Sequence, residues 1–194
     1  MEVNKEKNLK CKYIMVQLAE NTNKKKDTGY KNICEIGKER IRRAGKKIKE
    51  EAPLVTQNLD IGFRVLKLDD SNMNEVYYSP DDYSQGFLNQ LESNIKEDRT
   101  GLDLLYGCLT NLGLSLSLPH DEEDIHGYTV YSVDKTELMA CFAEQIPEKV
   151  FREIAGRQPR RVVFRDASFR DSADRINIDE IFKTLSPGTT IEIL

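Results

Sequence analysis

The sequence predicts an α/β protein, with a mostly parallel partial sheet in its first part and a smaller strand–helix unit in its second. Three observations predict it. A continuous apolar run, Tyr13 to Leu18 (YIMVQL), is followed by a polar loop and a long amphipathic pattern, Tyr30 to Glu51. A second apolar stretch, Asp60 to Leu68 (DIGFRVLKL), comes next, and strand–helix–strand in that order reads as a right-handed crossover within a parallel sheet. From Tyr128 onward, short apolar runs alternate with helical periodicity, as in α/β and α+β domains.

Taken in order, residues 1–11 are polar and read as loose. Tyr13 to Leu18 lacks the alternation of a half-exposed strand and reads as a strand buried on both faces. Ala19 to Gly29 (AENTNKKKDTG) is a polar loop. In the helix, Ile33, Ile36, Ile41, Ala44 and Ile48 fall near one face, and Pro53 stops it. The opposite face carries Lys38, Arg40, Arg42, Arg43, Lys46, Lys47 and Lys49. Such a face is ordinarily solvated; it also suits a surface lying near a polyanion. In the second strand, Ile61, Phe63 and Val65 alternate with polar neighbours. Ser79-Pro80-Asp81-Asp82 has the form of a helix start, with serine as cap, proline in the first turn and acids near the positive end. That helix would carry Tyr83, Phe87, Leu88, Leu91 and Ile95. Thr100 to Leu112 is a further helix, closed by Gly113. Leu114 to Leu118 reads as a short strand or a helix extension.

Pro119 to Gly127 (PHDEEDIHG) reads as an acidic connection and the boundary between two domains, 1–118 and 119–194. Beyond it, Tyr128 to Val133 and Glu137 to Phe142 form a hairpin around Asp134-Lys135. Pro147 to Gly156 is a short helix and Arg160 to Arg165 a strand. Asp171 to Leu185 is a helix carrying Ile176, Ile178, Ile181, Phe182 and Leu185. Pro187-Gly188 then turns the chain into a last strand, Thr190 to Leu194.

Composition narrows the function classes. The 194 residues are 39% hydrophobic and 32% charged, which suits a soluble globular protein with a modest core. The net charge is −4, so any contact with nucleic acid comes from a local patch or a partner domain. Cys11, Cys34, Cys108 and Cys141 are widely spaced, and zinc-ligand spacing is absent. Reduced thiols, no apolar run near the ~18 residues of a membrane span, and a polar N-terminus point to the cytoplasm.

Four stretches carry candidate chemistry. Glu20 follows the first strand. In nucleotide-binding α/β folds an acid at the end of the second strand accepts hydrogen bonds from ribose hydroxyls, a task suited to a group with two acceptor oxygens and no donor. An acid in a polar loop is also common, and Gln17 and Asn21 are neighbouring alternatives. Asp69-Asp70-Ser71-Asn72 closes the second strand and is, on pattern alone, an ordinary turn. His120 and His126 flank Asp121, Glu122, Glu123 and Asp124, but without the periodicity of a calcium loop a solvated run is the simpler reading. Arg157 to Arg165 (RQPRRVVFR), with Arg170 and Arg175, suits DNA phosphate or a partner subunit. Interleaved Asp166, Asp171 and Asp174 suit intramolecular pairs equally well, and nothing assembles Asp166 and Ser168 with a histidine into a triad.

The runs KYIMVQLAEN, GYKNICEIGKERIRRAGKKIKEE and DIGFRVLKLDDSNM resemble the C-terminal part of the methylation subunit of type III restriction-modification systems. The resemblance runs from about Lys12 to the C-terminus. It is most specific at ICEIGKERIRRAGKKIKEE and looser after Pro119. It implies a partial Rossmann-like methyltransferase sheet followed by a smaller C-terminal unit. It also implies a parent activity: methyl transfer from S-adenosylmethionine to the adenine amino group of a specific DNA sequence. Under it, Glu20 or Asn21 meets the cofactor's ribose and the loop Asp69, Asp70, Ser71, Asn72 borders its adenine. The helix face of Arg40, Arg42, Arg43, Lys46 and Lys47 lies toward DNA or a partner. The implied partners are the N-terminal part of the methylation subunit, the restriction subunit, DNA and further copies of the chain.

The family's reaction needs two elements that this sequence lacks. One is an Asp-Pro-Pro-Tyr string that holds the flipped base; Ser79-Pro80-Asp81-Asp82 is not one. The other is a Phe-x-Gly-x-Gly loop for the methionine end of the cofactor. In the family both lie upstream of the stretch matching Tyr13 to Leu18. The expectation is therefore a fragment without catalytic residues, inactive alone. The alternative is a structural module for dimerisation or for docking the restriction subunit, because an incomplete sheet leaves unpaired edges.

Overall fold

The computed structural model describes residues 1–7, 9–22, 29–74 and 95–194. It is a mixed α/β structure with one five-stranded open sheet and, among the described residues, five α-helices. The chain divides into two compact units, Met1–Leu68 and Asp69–Leu194. The helix expected from Ser79 and the lysine run at 24–26 lie outside the described residues.

In the first unit, α1 spans Glu2–Lys7 where a loose terminus was expected. It is tied down by Asn4, whose amide donates to the Cys11 carbonyl and whose Oδ1 accepts from the Cys11 N–H. Helix α2, Ile33–Glu51, matches the expected amphipathic segment. Its cap is Asn32, whose Oδ1 accepts from the Glu35 N–H at 3.0 Å. The face it buries is the expected one in part: Ile48 is buried and Ile36 and Ile41 are half-buried, but Ile33 and Ala44 are exposed and Gly45 is buried instead. Gly45 is where the chain at Ile61 comes closest, since a Cβ there would stand 3.1 Å from the Ile61 Cβ.

The two strands expected in this unit do not form. Residues 11–20 and 60–69 are outside any strand, and the isolated bridge Asn21–Asn32 marks where the first segment meets the start of α2. Ile14 and Val16 are 93% and 94% exposed, and Leu68 is 99% exposed. An extended apolar run becomes a strand only when another strand supplies its hydrogen-bonding partners. Here neither segment has one among the described residues.

The second unit holds the sheet. Helix α3 (Gly101–Asn111) precedes β1 (His120–Ile125), β2 (Tyr128–Val133) and β3 (Leu138–Cys141). Then come α4 (Glu148–Gly156), β4 (Arg161–Phe164), α5 (Ser172–Leu185) and β5 (Thr190–Ile193). Strand order follows chain order. β1–β2–β3 is an antiparallel meander, and β3, β4 and β5 run parallel through the α4 and α5 crossovers. Alternate residues serve opposite faces. Val130, Met139, Cys141, Val162 and Phe164 pack with Phe151, Ile154, Ile178 and Phe182 from α4 and α5. Tyr131, Val133, Leu138, Ala140 and Val163 pack with Leu104, Leu105, Cys108 and Leu109 of α3. A strand covered by helices on both faces reads as an unbroken apolar run, which is why YTVYSV, LMAC and RVVF lack strong alternation.

Three expectations change here. Because α3 and the sheet share a core, the boundary expected near Pro119 falls inside a unit; the division stands at Leu68/Asp69. The acidic "connection" is itself strand β1, paired along its length with β2. A two-residue turn joins them, with His126 and Gly127 both at positive φ. Carboxylates disfavour strands in general, but β1 is an edge strand, where charge is tolerated and discourages further pairing. Finally, Leu114 to Leu118 is neither strand nor helix extension. Gly113, at φ +65°, ends α3 with the Leu114 N–H bonded to the Leu109 carbonyl, and Leu114, Leu116 and Leu118 then pack beneath α3.

Candidate functional site

In the first unit, Glu20 and Asn21 sit against the entry to α2. The Ile33 N–H donates to the Glu20 carbonyl at 3.0 Å, Asn21 bridges Asn32, and the Thr22 hydroxyl donates to the Tyr30 carbonyl. Both candidate side chains are exposed. The Cys34 thiol donates to the Gln17 and Leu18 carbonyls, so the helix start fastens the end of the segment.

The basic helix face is largely paired within itself. Arg42 and Arg43 reach Glu39 at 3.9 and 2.7 Å, Lys46 reaches Glu50 at 3.7 Å, and Lys47 reaches Glu51 at 3.6 Å. Lys38 pairs with Glu35. Arg42 also stands over the Phe63 ring, 5.7 Å from its centre. Exposed pairs of this kind are worth about 0–1 kcal/mol, so a phosphate can displace a glutamate at small cost. Among these residues Arg40 makes no ion pair with a described residue.

Asp69 to Asn72 open the second unit. The Asn72 amide donates to the Asp103 carbonyl at 2.9 Å, and its own carbonyl accepts from the Lys96 N–H. Gly107 makes room for it, since a Cβ at that position would lie 2.8 Å from Asn72 Nδ2. Asn72 therefore anchors this segment to α3. Ser71 donates to the Met73 carbonyl, and Asp70 N–H donates to Asp69 Oδ1.

The arginine-rich segment resolves into intramolecular pairs. Arg157 joins Glu123 of β1 and Glu153 of α4, Arg160 joins Glu137, and Arg170 joins Asp174. The Arg170 guanidinium holds the Asp174 carboxyl below its ordinary value. Ser168 is fully buried, and its hydroxyl donates to the Ala143 carbonyl at 2.7 Å, a structural tie between the ends of β3 and β4. Cys108 lies in the core, where burial pushes its thiol up to about 11; this is a packing cysteine. The two histidines are far from equivalent. His120 meets the edge of the Tyr106 ring, and His126 occupies the β1–β2 turn. Among the described residues no group of three His, Cys, Asp or Glu is placed to hold a metal ion, and no helix is long and apolar enough to cross a membrane.

One feature went unread in the sequence. At the carboxyl ends of parallel strands β3 and β4, a cleft of about 680 Å³ opens between the first turn of α3, strand β2 and the loops after β3 and β4. Arg99, Gly101, Tyr128, Tyr131, Phe142 and Arg165 are among its lining residues. Thr100 and Asp103 close a reciprocal cap at the start of α3, and the Thr100 hydroxyl holds the Asp103 carboxyl below its ordinary value. The readable signal was the string Arg99-Thr100-Gly101 with Asp103: a cation, a cap and a glycine at one helix start. A second, smaller groove of about 430 Å³ lies at the opposite end of the strands, beside Glu137, Arg160 and Ser186.

No family model matches the chain, and no curated protein matches it.

Proposed function

We propose that the chain is the C-terminal portion of an adenine-specific DNA methyltransferase of the type III restriction-modification kind, acting only together with the part that carries the glycine loop and the Asp-Pro-Pro-Tyr string. The observation that carries the reading is the form of the first unit. A capped basic helix is flanked by two apolar segments, in the order and at the positions of the resemblance. Ile14, Val16 and Leu68 of those segments stand open to water. Each such side chain forgoes roughly 1.5–3 kcal/mol that burial would return. In the proposed parent protein the two segments are strands of a Rossmann-like sheet completed by upstream strands. Glu20 or Asn21 then faces the ribose of S-adenosylmethionine, Asp69 to Asn72 border its adenine, and Arg40 with its paired neighbours faces DNA.

The purified chain is expected to transfer no labelled methyl group from S-adenosylmethionine to DNA. The decisive test is the source DNA upstream of the Met1 codon. A reading frame there encoding a Phe-x-Gly-x-Gly loop and an Asp-Pro-Pro-Tyr string, whose product restores methyl transfer when mixed with this chain, supports the proposal. Absence of both strings, or methyl transfer by the chain alone, overturns it.

A second reading, an assembly module for dimerisation or for docking a restriction subunit, is favoured by strand β5. That open edge carries Glu192 as its single charge, whereas the β1 edge carries four carboxylates. Light scattering across a concentration series separates the two; a monomer throughout counts against the module.

A further inference from the structure

The cleft beside α3 has the position, the lining and the unmet hydrogen-bonding capacity of a ligand site. In open α/β sheets ligands gather at the carboxyl ends of parallel strands, and this cleft lies there, at the ends of β3 and β4. Its volume falls within the range of small-molecule sites. Arg99 is the telling residue. Its side chain is only 11% exposed; among the described residues its ion pair is the 3.4 Å contact with Asp98, and its Nε is buried without a hydrogen-bond partner. Buried guanidinium N–H groups are normally satisfied, and the planar fork of arginine matches the oxygens of a phosphate. Arg165 has a different task. It donates to the Phe142 carbonyl at 3.3 Å and pairs with Glu144 at 3.5 Å, bracing the floor.

Three aromatic residues, Tyr128, Tyr131 and Phe142, form part of the wall, beside Leu104 and Thr129. Tyr131 and Phe142 are each 8% exposed, with ring centres 5.9 Å apart. Tyr131 lies across the first residue of α3, where Gly101 admits it: a Cβ there would overlap the phenol oxygen. Asp103 already caps the positive end of α3, so the grip on an anion belongs to the Arg99 side chain rather than to the helix. Lys96 adds a second cation at the rim, and Glu97 offsets part of it. A phosphate-gripping arginine beside an aromatic wall fits one ligand class, a phosphate joined to a planar ring. The groove at the opposite end lacks this character, because Arg160 is already satisfied by Glu137 and the Thr189 hydroxyl donates to the Pro159 carbonyl.

We propose that this cleft binds a nucleotide, free or as one unit of a single-stranded nucleic acid, with Arg99 holding the phosphate and the tyrosine-lined wall receiving the base. The site is independent of the methyltransferase reading, since it uses none of the residues assigned there. The test is a titration of the full, isotopically labelled chain, following backbone amide resonances, with inorganic phosphate, a deoxynucleoside monophosphate and a short single-stranded oligodeoxynucleotide. The expected result is saturable shifts at Gly101, Thr129 and Ala143 with the monophosphate, and weaker binding of inorganic phosphate. Arg99→Gln should lower affinity about tenfold or more, and Arg99→Lys, which keeps the charge but not the fork, by less. Should Arg99→Gln fail to fold, Arg99→Lys and Lys96→Gln carry the comparison. Tighter binding of the oligonucleotide than of the monophosphate identifies a strand as the natural ligand, and the reverse identifies a free nucleotide. No shift at the cleft with any probe, or inorganic phosphate binding as tightly as the nucleotide, overturns the proposal.

Discussion

The two units use similar sequence material to opposite effect. YIMVQL in the first unit and YTVYSV in the second are both six-residue runs rich in apolar and β-branched residues. The first leaves Ile14 and Val16 almost fully exposed, while the second buries Val130 and Val133 completely. Propensity does not separate them; partners do. YTVYSV has β1 on one side and β3 on the other, with α3 and the α4–α5 pair closing the two faces. YIMVQL has a helix start and nothing else among the described residues. Apolar sequence specifies that a segment will be buried, and tertiary context decides where.

The sharpest way to break this comparison is a matched pair of truncations. Phe164→Ala removes a ring packed against Phe151, Phe169 and Phe182, and should cost about 3–5 kcal/mol in urea unfolding. Val16→Ala should cost less than about 0.5 kcal/mol, because the side chain touches almost nothing. A Val16→Ala cost comparable to that of Phe164→Ala would mean that the first segment is packed in solution, and the contrast would collapse.

A smaller effect tests the close approach within the second unit. Gly101→Ala drives a methyl group into the Tyr131 ring and should destabilise by about 1–3 kcal/mol. Tyr131→Phe in that background removes the nearest atom and should restore part of the loss. Failure of the second change to help would show that the helix start, not the tyrosine, resists the methyl.

The smallest effect is electrostatic. Asp174 is depressed in the folded state by Arg170, so the pair stabilises above the unfolded carboxyl value near 3.8 and loses that contribution as pH falls through the folded value. The gap in urea midpoint between the native chain and Asp174→Asn should therefore be widest at neutral pH and close under acid. A gap that holds constant down to about pH 2 would assign the cost of the substitution to packing instead.

Legibility followed the same division. In the second unit the hairpin through Asp134-Lys135, the three described α-helices and the last two strands were readable, because each signal was local: Gly113 after α3, Pro147 before α4, Asp171 at the start of α5, Pro187-Gly188 before β5. Strand β1 was missed because its carboxylates argue against a strand, and His126-Gly127 is not the usual asparagine–glycine turn. In the first unit α2 was readable from periodicity and the stop at Pro53, but its buried stripe only in part: Ile48 lies on it, whereas Gly45 owes its burial to Ile61 sixteen positions away. The basic face was legible as composition. That Glu39, Glu50 and Glu51 answer most of it required the geometry of a helix turn. The cleft was invisible for the reason most clefts are: Arg99, Tyr131 and Phe142 come from separate elements, and only the sheet brings them to one place.

The coincidence of strand order with chain order has a consequence for how the second unit is made. Each strand from β2 onward docks on the strand that preceded it in the sequence, so no strand must insert between two already in place. The loops to be closed are short for the meander and one helix long for the crossovers, which keeps the entropy of closure low. Assembly can therefore advance in one direction, from the α3 end, as the chain leaves the ribosome. Among the described strands β5 docks after the other four and leaves its outer edge open, whereas β1, the starting edge, is sealed by its own charge.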